Sequence, residues 1–421
     1  MAAAALLACS KEQVIEQNRA NDEIGFSVVA ENQTKAEDVY ASNHKMEAFT
    51  VAATYTNTKT GSTSWYFQND NIQYEENSGW VNTTATRYWS ADGTHDFYAI
   101  VNGSMTLGSP TDEPTVTVDF TPATTVEAQK DLLYAVAADQ EKLDGTVTLN
   151  FRHALSQIQF KAKNTNSKLY VKISGVQVGN TPGVGTFTYP TTANGARWTY
   201  NTPTNYTVTF PAVGVAGNST NPESVALTCT NEKSMLLIPA TTVAWIPTTG
   251  GGNNGEGTEG NIPEQGGQIP DIGDDNDGGT EGPGGGGDWG DPDEGGEDGA
   301  NSGNDDGGGF TRSGNVADVI EGSYLAVKCE IYNVAGENGY ASTDVCIYNG
   351  WAMIPAAFTW EQGKKYIYTF VFGEGDFGYN GGNGDNPAPT PDREKVLTTM
   401  NYTVTVDNFT PVAETEKNMT R

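Results

Sequence analysis

The stretch Thr146 to Asn164, TVTLNFRHALSQIQFKAKN, constrains the fold more than any other part of the chain. Val147, Leu149 and Phe151 alternate with Thr148 and Asn150, and Ile158, Phe160 and Ala162 alternate with Gln157, Gln159 and Lys161. A side-chain period of two belongs to a strand with one buried face, because successive Cβ atoms leave opposite sides of a pleated ribbon. His153-Ala154-Leu155-Ser156 breaks the alternation between the two runs. The chain is therefore expected to bend there, as in a β-sandwich where one strand leaves a sheet and the next joins the other.

Short runs of the same kind precede it. Phe49–Ala52, Ser64–Phe67, Ile72–Tyr74, Gly79–Val81, Tyr88–Trp89, Asp96–Val101 and Thr115–Val118 are each apolar by alternation or carry an aromatic pair, with Gly, Asn and Asp between them. Regular short strands separated by turn residues indicate a sandwich. Further strands are expected over Leu169–Val178, Gly185–Pro190, Tyr206–Pro211, Ser234–Ile246, Tyr324–Asn333, Ser342–Pro355, Tyr366–Phe372 and Leu397–Val406. In the last, Met400, Tyr402, Val404 and Val406 share one face. Apolar residues make up 36% of the 421 and charged residues 18%, with abundant Gly. That mixture suits pleated surfaces and turns and fits an extracellular all-β protein better than a helical enzyme.

Several further motifs lie around the central stretch: KDLLYA at Lys130–Ala135, GTFTYP at Gly185–Pro190, MLLIPAT at Met235–Thr241 and WEQGKKYIYTFVFG at Trp360–Gly373. Together with LNFRHALSQIQFKAKN they resemble the fimbrillin family of Bacteroides-type bacteria, whose members are subunits of lipoprotein-derived type V pili or related surface lipoproteins. The resemblance implies two tandem β-sandwich domains of Greek-key, transthyretin-like type. On that basis residues 1–22 are expected to be a leader and tether, 23–145 the first sandwich, 146–410 the second, and 411–421 a polar tail.

The formal net charge of −30 is unevenly spread. Sixteen Asp and Glu and no Lys or Arg lie between Gly250 and Phe310, so more than half of the charge sits in that one segment. Residues 248–312 hold hardly an aliphatic side chain and cannot bury enough apolar area to offset ordering, so an acidic Gly-rich disordered insertion in the second sandwich is expected. It is expected to replace a hairpin loop between a strand ending at Trp245-Ile246 and one beginning at Ser323. A loop of that length costs little extra to close, since closure entropy grows only as the logarithm of length. Its carboxylates match no EF-hand or repeated calcium motif. A negative surface repels nucleic acid and anionic lipid, so no nucleic-acid partner is expected.

Leu6-Leu7-Ala8-Cys9 fits a bacterial lipobox, in which the thiol of Cys9 becomes lipidated. Only eight residues precede Cys9, so a shortened leader is expected. Ile24–Val29 reads as a short strand, and a polar loop containing Thr34-Lys35-Ala36 follows it. The family resemblance implies that the first strand, carrying Ile24, Phe26 and Val28, is displaced after proteolytic processing between Lys35 and Ala36. It also implies that the vacated groove accepts a strand from the next subunit, with Met400, Tyr402, Val404 and Val406 as the candidate donor. An ordinary exposed loop at Lys35 is the alternative.

Trp65, Tyr66, Trp80, Tyr88, Trp89, Phe97 and Tyr98 could form either a core or a sugar-stacking platform. Cys329 and Cys346 sit on neighbouring expected strands and could either pair or stay free. The cysteine spacing and the scarcity of histidine point to no metal site, and nothing calls for a cofactor. No catalytic set stands out: His153 and Ser156 lie in the strand corner, and no Gly-x-Ser-x-Gly elbow occurs. The expectation is a fimbrial subunit or fimbrillin-like lipoprotein at the surface of the outer membrane, held by its lipid anchor and partnered by other subunits. The alternative is a monomeric adhesin, pilus tip or anchor that binds a glycan or a protein.

Overall fold

The computed structural model describes residues 22–30, 46–110, 114–142, 145–191, 195–227, 234–247, 319–334, 340–384, 387–388 and 395–408. Cys9, Lys35, Ala36, the acidic segment 248–312 and the tail 411–421 lie outside these residues. The described strands run in the order β1 Phe26–Ala30, β2 Ala48–Thr56, β3 Thr63–Glu75, β4 Gly79–Asn82, β5 His95–Val101, β6 Met105–Leu107, β7 Val116–Phe120, β8 Leu133–Gln140, β9 Val147–His153 and β10 Ser156–Asn164. They continue through β11 Leu169–Thr188, β12 Arg197–Ala216, β13 Val225–Leu227, β14 Met235–Leu237, β15 Thr242–Ala244, β16 Ile320–Asn333, β17 Val345–Pro355, β18 Lys364–Asn380 and β19 Lys395–Asn408. The chain is all-β, as the alternation indicates.

Seven strands close into a barrel in the order β1-β4-β3-β2-β5-β8-β9. Their inward positions, among them Phe26, Phe49, Val51, Ile72, Phe97 and Phe151, form one buried cluster. Closing the sheet on itself leaves it no open edge. A larger sheet runs β13-β10-β18-β17-β16-β11-β7-β6, with β12 beside β11, β14 beside β10, β15 beside β16 and β19 beside β18. Ile158, Phe160 and Phe370 of β10 and β18 share a core with Ile173, Leu325 and Ile331 of β11 and β16, so this sheet doubles back into two layers. A third cluster joins barrel and sheet: Tyr98, Ile100 and Tyr134 pack with Phe187, Tyr189 and Trp198. Tyr189 Oη donates to the Ala99 carbonyl at 2.7 Å and Trp198 Nε1 to that of Ala154 at 2.8 Å.

The corner at His153–Ser156 is where the chain passes from barrel to sheet. The strand before it, expected to open the second half, instead seals the barrel between β8 and β1. Its apolar face is used either way, and alternation carries no information about which neighbour covers it. In the other direction, β6 and β7 leave the barrel region and extend the large sheet through β11.

Two further expectations change. The strands flanking the acidic segment are expected to form a hairpin, but β15 and β16 run parallel, with Thr242 beside Ile320 and Ala244 beside Ser323. Parallel neighbours require a crossover, because a tight turn reverses the chain. Leu169–Val178 and Gly185–Pro190, expected as separate strands, belong to one, since β11 runs unbroken for 20 residues from Leu169 to Thr188. The run absorbs its turn residues as an irregularity: Asn180 adopts φ 53°, the register shifts between Val178 and Thr181, and Pro182 lies opposite Pro203 of β12.

Candidate functional site

The first strand occupies a slot whose two walls are unequal. On one side β1 runs parallel to β9 over five residue pairs, Phe26 beside Val147 through Ala30 beside Phe151. On the other it meets β4 at one pair, Phe26 opposite Trp80. Ahead of β1, Ile24 N–H donates to the Arg87 carbonyl at 2.8 Å, Trp89 N–H donates to that of Asp22 at 2.7 Å, and Val147 N–H donates to that of Gly25 at 2.9 Å. Ile24 and Phe26 are buried and Val28 is half-buried against the barrel core. The Phe26 ring meets Phe49 and Phe97 edge-on, at 6.1 and 5.8 Å between centroids. Removing this strand would uncover an apolar floor of aromatic rings between two rows of backbone groups.

The connection from Ala30 to Ala48 contains Lys35 and Ala36, so a cut there would leave β1 held by noncovalent contacts alone. Arg87, beside the slot, is anchored in turn. Its Nε and Nη2 donate to Asp70 Oδ2 and Oδ1 at 2.7 and 3.0 Å, and Asn82 Nδ2 donates to Asp70 Oδ2 at 2.8 Å. Asp70 is fully buried and its carboxylate pushes the Arg87 pKa up by hydrogen bonding. Sequence reading overlooked this anchor. The available signal was Asp70 two residues before Ile72, an acid on the buried face of a strand, which only a partner makes tolerable.

At the other end of the chain β19 is an edge strand paired along β18 alone, Met400 opposite Phe372 and Val406 opposite Tyr366. Met400 is buried and Tyr402 packs half-buried against the core. Val404 and Val406, on the same face, are 41% and 55% exposed. The four expected face-mates thus split into two that are covered and two that are bare.

Of the seven aromatics that left two readings open, Trp89, Phe97 and Tyr98 are buried, Trp65, Tyr66 and Trp80 are half-buried, and Tyr88 is exposed. Tyr66, Trp89 and Phe97 surround the buried His95, whose pKa burial pushes down to about 4. The set is mainly barrel core. His153 Nδ1 is bonded to the buried Asp131 carboxylate, while Ser156 Oγ donates to the Glu361 carbonyl at 2.8 Å, so the two corner residues face different partners. Cys329 is buried and Cys346 exposed, and both are free thiols. Gly350, not Cys346, is opposite Cys329 in the ladder. Among the described residues no cluster of His, Cys, Asp and Glu could hold a metal ion, and no helix is long and apolar enough to cross a membrane.

A family model described as fimbrillin-like matches residues 34–256. No curated protein matches the sequence. Among solved structures, a fimbrial protein from Bacteroides vulgatus is similar with a TM-score of 0.51 at 14% identity, over 92% of this chain and all of that one. A candidate cell adhesion protein from Bacteroides uniformis has a TM-score of 0.37 at 14% identity, over 92% of this chain and 99% of its own. Another, from Parabacteroides distasonis, has 0.39 at 10% identity, over 94% and 99%. The first of these likenesses is one of fold.

Proposed function

Since this chain belongs to the fimbrillin-like family, we propose that it is a fimbrial subunit exported to the outer membrane as a lipoprotein on Cys9 and assembled by strand exchange once a cut at Lys35-Ala36 has separated it from its lipidated N-terminal segment. The observation that carries the reading is the unequal seating of β1, with five backbone pairs to β9 and one to β4. A strand sealed along one wall and barely along the other can be released, once cut at Lys35-Ala36, without dismantling the rest of the barrel. The groove it leaves offers unpaired N–H and C=O groups and apolar sites where Ile24, Phe26 and Val28 had been, and an alternating strand satisfies both. β19 of a neighbouring subunit supplies such an alternation in Met400, Tyr402, Val404 and Val406. Its bare half, Val404 and Val406, would gain cover on transfer.

The test is N-terminal sequencing and gel analysis of protein extracted from the cell surface. Chains beginning at Ala36 and running as a heat-sensitive ladder are expected. Val404→Asp with Val406→Asp should abolish the ladder while leaving the monomer folded, because both positions are exposed. Intact monomer beginning at Cys9, with no ladder, would remove strand exchange. A second reading, a monomeric adhesin, tip or anchor, is favoured by one observation: with β1 in place the seven-stranded barrel is complete.

A further inference from the structure

We infer that β19 is the surface by which two copies of this chain associate, edge to edge and antiparallel, about a two-fold axis near Asn401. β19 pairs along β18 alone, so one margin of its 14 residues carries no strand. An open margin of that length invites pairing, and sheet proteins ordinarily blunt it with charge, proline or brevity. Among the described residues, the other strands paired on one side only obey that rule: β6, β13, β14 and β15 have three residues each, and β12 carries Pro203 and Pro211. β19 departs from it. Val396 to Val406, VLTTMNYTVTV, holds no charge, no proline and no glycine.

The direction of the backbone identifies the free groups. Thr165 N–H donates to the Phe372 carbonyl at 2.9 Å, so Phe372 turns its backbone groups toward β10. Successive residues turn theirs to opposite sides, so Val371, Thr369 and Ile367 face β19 and bond Asn401, Thr403 and Thr405, their partners in the ladder. The residues between them, Met400, Tyr402, Val404 and Val406, therefore present their N–H and C=O groups to the open margin. Tyr402 N–H donates there to Asn401 Oδ1, at 2.7 Å, in place of a strand. The two bare valines and the free backbone groups thus belong to one set of residues.

The occupant is a second copy, because the charges at the ends of β19 complement those of the same strand reversed. Lys395 opens the strand and Asp407 lies near its other end. Laid antiparallel with Asn401 opposite Asn401, Lys395 of each copy comes opposite Asp407 of the other, Met400 opposite Tyr402, and the bare Val406 opposite Val396. Laid parallel in register, like charges would meet at both ends, which is destabilising. The antiparallel pairing uses the same surface on both copies and closes at two, leaving neither β19 open. A β19 held in this way is not free to be donated, so the pair belongs to the chain before the cut at Lys35-Ala36.

The test is sedimentation equilibrium of the full chain, with Lys35→Ala to prevent the cut and Cys9→Ser to prevent lipidation. A dimer at about 100 μM is expected. Val404→Pro, which removes an N–H that bonds no strand, and Val404→Lys, which places a charge on the margin, should each weaken it at least about tenfold with unchanged circular dichroism. In the expected register Thr405 lies opposite Leu397 of the second copy. Spin labels on Thr405→Cys, with Cys229→Ser and Cys346→Ser added, should therefore lie about 27 Å apart, against less than about 15 Å in a parallel pair. The inference is overturned if the chain stays monomeric, if both Val404 variants associate as the parent does, or if the labels lie close together. Strand exchange is read separately, from chains beginning at Ala36 in a heat-sensitive ladder, so either reading can fail while the other stands.

Discussion

Phe26 and Trp80 face each other across the single residue pair by which β1 meets β4, and the barrel closes there. Trp80 is half-buried and also packs on Phe49, at 5.1 Å between centroids, which in turn touches Phe26. At this seam the rings add to a backbone pairing of one residue pair, with two further backbone bonds ahead of it between Asp22–Ile24 and Arg87–Trp89. Truncating Phe26→Ala should lower stability by about 3 kcal/mol, the usual cost of emptying a phenylalanine site in a core. Amide exchange in β1 should accelerate before exchange in β9. A urea midpoint equal to that of the parent would show that the seam does not depend on this ring.

Arg87 keeps the Asp70 carboxylate compensated inside the barrel. Its replacement by Ala leaves a buried negative charge with Asn82 as its remaining partner and should cost about 2–4 kcal/mol. Removing both, Asp70→Ala with Arg87→Ala, should cost less than Arg87→Ala alone, since no uncompensated charge then stays behind. Denaturant titration of the three variants distinguishes this from a simple loss of packing, in which the double variant would be the least stable.

His95 makes the barrel acid-sensitive. Its folded pKa of about 4 lies below the ordinary 6.5, so as pH falls the unfolded chain takes up the proton first. The contribution of this site is intact above the unfolded value and drains away as pH drops from there towards 4, to a maximum of about 3 kcal/mol. The parent should therefore lose more stability between pH 7.5 and 4.5 than His95→Phe, which keeps a ring in the nest. Equal losses in the two proteins would assign the acid sensitivity to carboxylates instead.

Gly179 lies under the ring of Tyr324, its partner in the β11–β16 ladder. A Cβ there would sit 2.0 Å from Tyr324 Cζ. The ring cannot step aside easily, because Tyr324 is fully buried and its Oη bonds Gln177 Oε1 and the Pro387 carbonyl, both at 2.8 Å. Gly179→Ala should cost about 1–3 kcal/mol through overpacking. Gly195→Ala, where a Cβ meets nothing within 4 Å, serves as the control and should leave the thermal midpoint unmoved.

Much of the fold was legible from side-chain order. Val147, Leu149, Phe151, Ile158, Phe160 and Ala162 all proved buried, and the break between the two runs proved to be the crossing from one sheet to the other. At the candidate site the strand itself was legible: Ile24–Val29 reads as a short strand, and β1 runs over Phe26–Ala30 with Ile24 and Phe26 buried. The anchoring of Asp70 by Arg87 and the pairing of Phe26 with Trp80 were not, because each gains its meaning from residues distant in the sequence.

What the chain determined by itself is which faces are apolar, since a period of two is written residue by residue and needs no partner to be read. Only the tertiary structure decided what covers them: β9 against β1, β15 parallel to β16, and Leu169–Val178 joined to Gly185–Pro190 in one strand, β11, beside β12. The physical reason is that an apolar face specifies burial but no neighbour. Direction, register and closure come from backbone groups that are the same in every residue, and they are settled by the packing of all strands at once.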